Sequence, residues 1–319
     1  MVPMGRDFTE ELPAIVVQRA NTLGQQGQQW LGELNAFVAD ISKRWQLKLG
    51  TVLSGGSESL VINVITADQS QAILKLGLPG SANMAVETKV YDLAAGTGYA
   101  ELLAKDLPCH AILLERLGDS IESQGLSVSR QIEIMCRTLS VAWLPISESY
   151  GFMTGAEKAH WLLNFIQDRW RRLEEPCDER TLNLALTYAE SRQHAHRSDN
   201  AVLVHGDAHG NNTLMVLADD SSTVPCYKFV DPDGLFAEKA CDLSVMMRGW
   251  SDELLDADPH KGLKARGEKI ADLTGVDRTA IWQWGFVERI STGFTLLEIG
   301  MKEEGRKMLA VADDVSKRC

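Results

Sequence analysis

No two of the six cysteines, Cys109, Cys136, Cys177, Cys226, Cys241 and Cys319, stand at C-x-x-C spacing. That absence removes zinc ribbons, thioredoxin-type redox pairs and a dense disulfide framework, and scattered thiols suit a reducing compartment. There is no run of ~18 apolar residues, so no membrane-spanning helix is expected. Met1 to Glu11 carries acids and no apolar core, and does not read as a signal peptide. The expected location is the cytoplasm. Histidine is scarce, with 7 in the chain, and basic residues are in deficit, 32 against 44 acidic ones, for a net charge of -12. Such a surface repels nucleic acid and anionic membrane and attracts cationic small molecules. Internal repeats and low-complexity linkers are absent too.

What remains is an ordinary globular composition, 45% hydrophobic and 24% charged, over 319 residues. That length suits two lobes, since single cores stop growing near ~250–300 residues. Nothing in it demands more than a monomer. Trp30, Leu31, Leu34, Phe37, Val38 and Ile41 recur at three- and four-residue spacing, predicting helix from about Pro13 to Trp45, with Gly24 and Gly27 dividing it. Beyond Leu47 the period falls to two. Strands are expected near Leu47–Leu53, Leu60–Thr66 and Ala72–Leu76, with further ones near Tyr99–Ala104 and Ala111–Glu115 and a helix at Ala82–Ala95. From Ser127 onward helical spacing dominates, broken by short β segments at Ala201–Val204 and Lys228–Asp231. The layout is α+β: an N-terminal helical segment (1–47), a small antiparallel β lobe (48–117) expected to bind nucleotide, and a helical lobe (118–319) expected to hold the catalytic and substrate groups.

Chemistry concentrates at Val204-His205-Gly206-Asp207-Ala208-His209-Gly210-Asn211-Asn212, at the end of a short apolar strand. A second apolar strand ends in Phe229-Val230-Asp231-Pro232-Asp233-Gly234. Phosphoryl transfer needs such a set. One carboxylate orients the acceptor hydroxyl and accepts its proton, while a carboxylate and an amide oxygen hold the metal that bridges the phosphates. Asp207 is the candidate catalytic group, and Asn212, five residues on as in kinase catalytic loops, pairs with Asp231 as magnesium ligand. Upstream, the turn Ser54-Gly55-Gly56-Ser57 can close over phosphates with backbone N–H groups. Lys75, in mid-strand within an apolar run, needs an anionic partner, and Glu87 on the following helix supplies one. His205 reads as a structural residue of the loop. A metallophosphoesterase would share Gly-Asp-x-His, but the further Gly-Asp and Gly-Asn-His blocks it needs are missing.

With these motifs in order, the chain resembles the aminoglycoside/hydroxyurea antibiotic resistance kinases over nearly its whole length. The likeness is carried by Trp30-Leu31-Gly32-Glu33-Leu34, Arg44-Trp45-Gln46-Leu47, Ile73-Leu74-Lys75-Leu76, Glu87, Leu113-Leu114-Glu115-Arg116-Leu117, His205-Gly206-Asp207, Asp231-Pro232 and Cys241-Asp242-Leu243. The resemblance implies a protein-kinase-like two-lobe fold, ATP and magnesium as cofactors, and transfer of the γ-phosphoryl group to a drug hydroxyl. It makes Glu115 to Leu117 the hinge whose backbone holds adenine. The family's loop usually reads His-Gly-Asp-Leu-His-x-Gly-Asn. Here Ala208 and Asn211 depart from it, and Asn is among the residues that tolerate left-handed angles. For the acceptor, a small and probably cationic molecule of the streptomycin class, the candidates are Asp233, Trp250 and the acids that follow, Asp252, Glu253 and Asp256. Trp282, Trp284, Phe286 and Glu288 read as core. The alternatives are a kinase of an endogenous metabolite and a nucleotide-binding pseudokinase without turnover.

Overall fold

The computed structural model describes residues 6–54, 56, 58–79, 82–217 and 226–318. Two compact units divide between Gly118 and Asp119, with Val216 and Leu217 grouped with the first.

In the first unit, α1 (Ala14–Thr22) and α2 (Gln25–Arg44) precede a five-stranded sheet. Its strands β1 (Lys48–Leu53), β2 (Ser59–Ile65), β3 (Gln71–Gly77), β4 (Leu102–Asp106) and β5 (Ala111–Glu115) lie in the order β1-β2-β3-β5-β4, all antiparallel. The period-2 pattern does what side-chain alternation requires. Leu60, Ile62 and Val64 of β2, with Ala72, Leu74 and Leu76 of β3, form one buried face. They share a core with Val16, Ala20, Trp30, Leu34, Val38 and Ile41 of the two helices. The N-terminal helices are therefore the cover of the sheet. Lys75 alternates with Leu74 and Leu76 and so falls on the opposite face. Helix α3 (Ala82–Ala94) follows β3, tied to β4 by the ion pair of Asp92 with Lys105. The strand expected at Tyr99–Ala104 begins later, at Leu102. Tyr99 and Ala100 are instead fully buried ahead of it, after a turn in which Gly96 and Gly98 have φ of 78° and 71°.

Only one of the two expected helix breakers acts as one. Gly24 has φ 59° between α1 and α2. Gly27 lies inside α2, where a Cβ would come 1.8 Å from the Ala20 carbonyl oxygen of α1. It is the point of closest helix approach.

The second unit contains α4 (Val128–Ala142), α5 (Gly155–Arg172) and α6 (Glu179–Ala195), then α7 (Ala240–Leu243), α8 (Val245–Arg248) and α9 (Ser251–Leu255), and finally α10 (Pro259–Thr274), α11 (Arg278–Glu298) and α12 (Lys302–Ser316). Helix α11 is central: Trp284, Phe286, Ile290 and Phe294 are all but fully buried. The short strands β6 (Met153–Thr154), β7 (Val202–Val204) and β10 (Leu235–Ala237) form one sheet, in the order β6-β10-β7. A separate hairpin joins β8 (Thr213–Met215) to β9 (Tyr227–Phe229).

Gly27→Ala should destabilise the first unit by overpacking, by about 1–3 kcal/mol. Thermal denaturation would show the lower Tm, whereas Gly24→Ala should act through backbone strain alone and cost less.

Candidate active site

The catalytic loop hangs from one buried carboxylate. Asp242, in α7 and fully buried, accepts the backbone N–H groups of His205 (2.9 Å) and Gly206 (2.7 Å) and the indole N–H of Trp143 (3.0 Å). Gly206 has φ 91°, and a Cβ there would stand 2.9 Å from the Asp233 Cβ, so both backbone angle and space demand glycine. His205 is fully buried and completes the loop's geometry. Its Nδ1 accepts from the Asp207 backbone N–H (3.1 Å), which leaves Nε2–H to donate to the Val230 carbonyl (2.9 Å). This imidazole is a strut between the loop and the end of β9, as the sequence suggested.

Asn212 and Asp231 come together through the β8–β9 hairpin. Thr213 pairs with Phe229, and the Val230 N–H donates to the Asn212 carbonyl (3.0 Å). The residues flanking that pair, Asn212 and Asp231, therefore emerge at the same end of the hairpin. Asn212 is buried, and its Nδ2 donates to the Asp207 carbonyl (3.1 Å), so its amide oxygen is the end left for a ligand. Asp231 is exposed and has φ 55°, a conformation that Asp adopts more readily than most residues. Hard oxygen donors of this kind, one amide and one carboxylate, fit magnesium, which is held through few protein groups together with phosphate oxygens.

Asp207 itself keeps about a third of its side chain open (32%). Its Oδ1 accepts from Nη2 of Arg248, and His209 Nε2 lies 3.4 Å from its Oδ2. Since His209 Nδ1 accepts from the Asn211 N–H (3.2 Å), its Nε2 carries the proton toward Asp207. Partial burial disfavours charge on Asp207, but Arg248 and His209 outweigh it and hold the carboxyl well below the usual carboxylate range. Behind Arg248, Glu288 of α11 accepts from Nη1 (3.4 Å) and lies 3.7 Å from Lys158 of α5. The chain of charges Asp207–Arg248–Glu288–Lys158 alternates in sign throughout. Arg248 is aimed by the end of α8, where the guanidinium groups of Arg266 and Arg289 both hydrogen-bond the Gly249 carbonyl (2.8 and 3.2 Å).

The predicted residues of the first unit are partly within view. Lys75 Nζ contacts both oxygens of Glu87 (2.7 and 2.8 Å), both side chains being largely buried. Of the glycine turn, Ser54 is exposed and Gly56 buried, while Gly55 and Ser57 lie outside the described residues. In Glu115–Leu117, the Glu115 N–H donates to the Glu101 carbonyl (2.9 Å) and the Leu117 carbonyl accepts from Arg116 Nη1 (2.5 Å).

A cavity of about 310 Å³ adjoins the catalytic loop, lined by Ala208, His209, Gly210, Arg248 and Trp250 among others. Of the predicted acceptor residues, only Trp250 faces it. Asp252 pairs with Lys307 (2.8 Å), Glu253 is 3.8 Å from Arg266, and Asp256 is exposed. Asp233 is exposed beside Gly206. Asn211 needs no left-handed angle, because residues 210–212 form a 3-10 turn in which its φ is not positive. Sequence reasoning missed Arg248, Glu288 and Lys158. Glu288 left a signal, standing four residues after Trp284 on the buried stripe of α11.

Residues 44–300 match the model of the aminoglycoside/hydroxyurea antibiotic resistance kinases. This chain belongs to that family. The kinase is 25% identical over 297 residues to streptomycin 6-kinase of Streptomyces glaucescens, spanning 91% of this chain and 92% of the relative. It is 30% identical over 210 residues to hydroxyurea phosphotransferase of Kitasatospora aureofaciens, spanning 64% and 60%. Its fold is that of the small-molecule kinases: a choline kinase of Streptococcus pneumoniae superposes with a TM-score of 0.60 at 12% identity, over 90% of this chain and all of the other. The kinase is thus a protein-kinase-like phosphotransferase with ATP as phosphoryl donor. None of its described helices is long and apolar enough to cross a membrane.

The Arg248–Asp207 pair stabilises the fold above the unfolded carboxyl pKa of about 3.9 and is lost as pH falls through that value. In the wild type, Asp207 should therefore give no acid limb in kcat above about pH 4. Arg248→Met removes the cation and lets burial push the carboxyl up, so an acid limb should rise toward about pH 5–6. Arg248→Lys, which keeps the charge, should show a smaller move.

Proposed function

We propose that this kinase transfers the γ-phosphoryl group of ATP to a hydroxyl of a small cationic aminocyclitol of the streptomycin class. The observation that carries the reading is the single loop-and-hairpin unit that brings Asp207, Asn212 and Asp231 together, in a chain matched along nine-tenths of its length by a streptomycin 6-kinase. The neutral hydroxyurea is the second acceptor that relatives suggest.

In this reading Asp207 receives the acceptor hydroxyl at its open oxygen edge. A carboxylate held this far below its usual range is a weak base. Its main work is to aim the hydroxyl at the γ-phosphorus and to take the proton late, which matches a loose transition state with little early bond formation. The new bond joins acceptor oxygen to γ-phosphorus, and the bond to the β-phosphate oxygen breaks to release ADP. Arg248 and His209 fix both carboxylate oxygens in direction, so the hydroxyl meets one geometry. Asn212 and Asp231 are the residues that would hold magnesium. When bound, magnesium bridges the phosphates and neutralises the charge developing on them. Lys75, oriented by Glu87, is assigned to the phosphates. The glycine turn at 54–57 and the Glu115–Leu117 backbone are assigned to the rest of the nucleotide.

Asp207→Ala should lower streptomycin-dependent ADP release by about 10²–10⁴ while nucleotide affinity, measured by calorimetry, stays near wild type. Asp231→Ala should instead raise the magnesium concentration needed for half-maximal rate. Full activity in Asp207→Ala would remove the mechanism.

A further inference from the structure

The cavity beside the catalytic loop is apolar on most sides, with Met135, Met246, Met308 and Trp250 in its lining, and has one polar wall. That wall is built by topology. Ser120 bridges Leu214, and the Met215 N–H donates to the Asp119 carbonyl (3.0 Å), which brings the turn Ile121–Gln124 against the 3-10 turn Gly210–Asn212. Glu122 is thereby set into the lining. Its carboxylate is exposed and has no ion-pair or hydrogen-bond partner among the described residues.

Next to it is a second acceptor in want of a donor. Gln131 of α4 is 5% exposed, and its Nε2 donates to the Leu126 carbonyl (3.0 Å). Its Oε1 is buried and unpartnered. Buried polar atoms are nearly always hydrogen-bonded, so an orphan beside a cavity points to a missing partner. Both oxygens face the same small space. A Cβ on Gly210 would stand 2.6 Å from Glu122 Oε2 and 3.3 Å from Gln131 Oε1. Glycine at 210 keeps that space open.

We propose that Glu122, Gln131 and Gly210 form the subsite that takes a cationic donor group of the acceptor, an ammonium or guanidinium. Glu122 supplies the charge partner, the Gln131 carbonyl accepts a second N–H, and the apolar lining with Trp250 carries the rest of the molecule. This rests on the reading of the protein as a kinase of a cationic acceptor. It moves recognition of the cation from the acidic stretch 252–256, which does not line the cavity, to the turn before α4.

Glu122→Gln is isosteric and exposed, so it folds. At saturating ATP, its KM for streptomycin should rise about tenfold or more, the worth of a charge-assisted hydrogen bond. Its kcat, its KM for ATP and its kinetics with the neutral hydroxyurea should be unchanged. Gly210→Ala should weaken streptomycin binding in calorimetry in the same direction. An unchanged streptomycin KM in Glu122→Gln overturns the subsite. So does a rise in the KM for ATP instead, which would give the wall to a ribose hydroxyl. If the wild type neither binds nor phosphorylates streptomycin, it is the functional reading itself that fails.

Discussion

Two backbone N–H groups, those of His205 and Gly206, end on the buried carboxylate of Asp242, and the catalytic loop's shape follows from that contact. A buried carboxylate is costly unless its lone pairs are filled. Here three N–H donors fill them, and in return the chain at 205–206 is pinned. The pin makes Gly206 necessary, because the loop must turn through a left-handed angle against Asp233. It turns His205 into a strut to Val230, and through that strut the loop is held to the strand that ends at Asp231. The positions of Asp207, Asn212 and Asp231 are consequences of one satisfied charge.

Electrostatics around Asp207 then set what that group can do. The protein's surface is acidic, yet the carboxylate is backed by Arg248 and met by His209, with Glu288 and Lys158 continuing the alternation behind. The arrangement keeps Asp207 ionised and rigid at the expense of basicity. For phosphoryl transfer this is the favourable exchange, because positioning contributes more than proton abstraction when the transition state is loose. The same arrangement leaves the cation-accepting work to other carboxylates, and Glu122 is the one that faces the cavity without a partner.

Much of this could be read in the sequence because it depends on local pattern. Period-2 runs around Lys75 gave the sheet and put Lys75 on the face away from the core. Asp207 and Asn212 carried their spacing with them. Gly27 misled because a glycine in a helical stretch looks the same whether it breaks the helix or admits a neighbouring backbone. Arg248, Glu288 and Lys158 are each ordinary within their own helices and acquire meaning only when α5, α8 and α11 pack. The acids after Trp250 drew attention by density alone, yet Lys307 takes one of them, while the isolated Glu122 and Gln131 were brought to the loop by a bridge between residues 120 and 214 that no short-range pattern encodes.

The central claim is phosphoryl transfer to a hydroxyl of a cationic aminocyclitol. It is tested most directly by incubating the purified kinase with streptomycin, magnesium and ATP radiolabelled in its γ-phosphoryl group, then separating drug from nucleotide. The account predicts label on streptomycin together with a mass gain of one phosphoryl group, and ADP in equal amount. ADP formed alongside label found only in inorganic phosphate would contradict it.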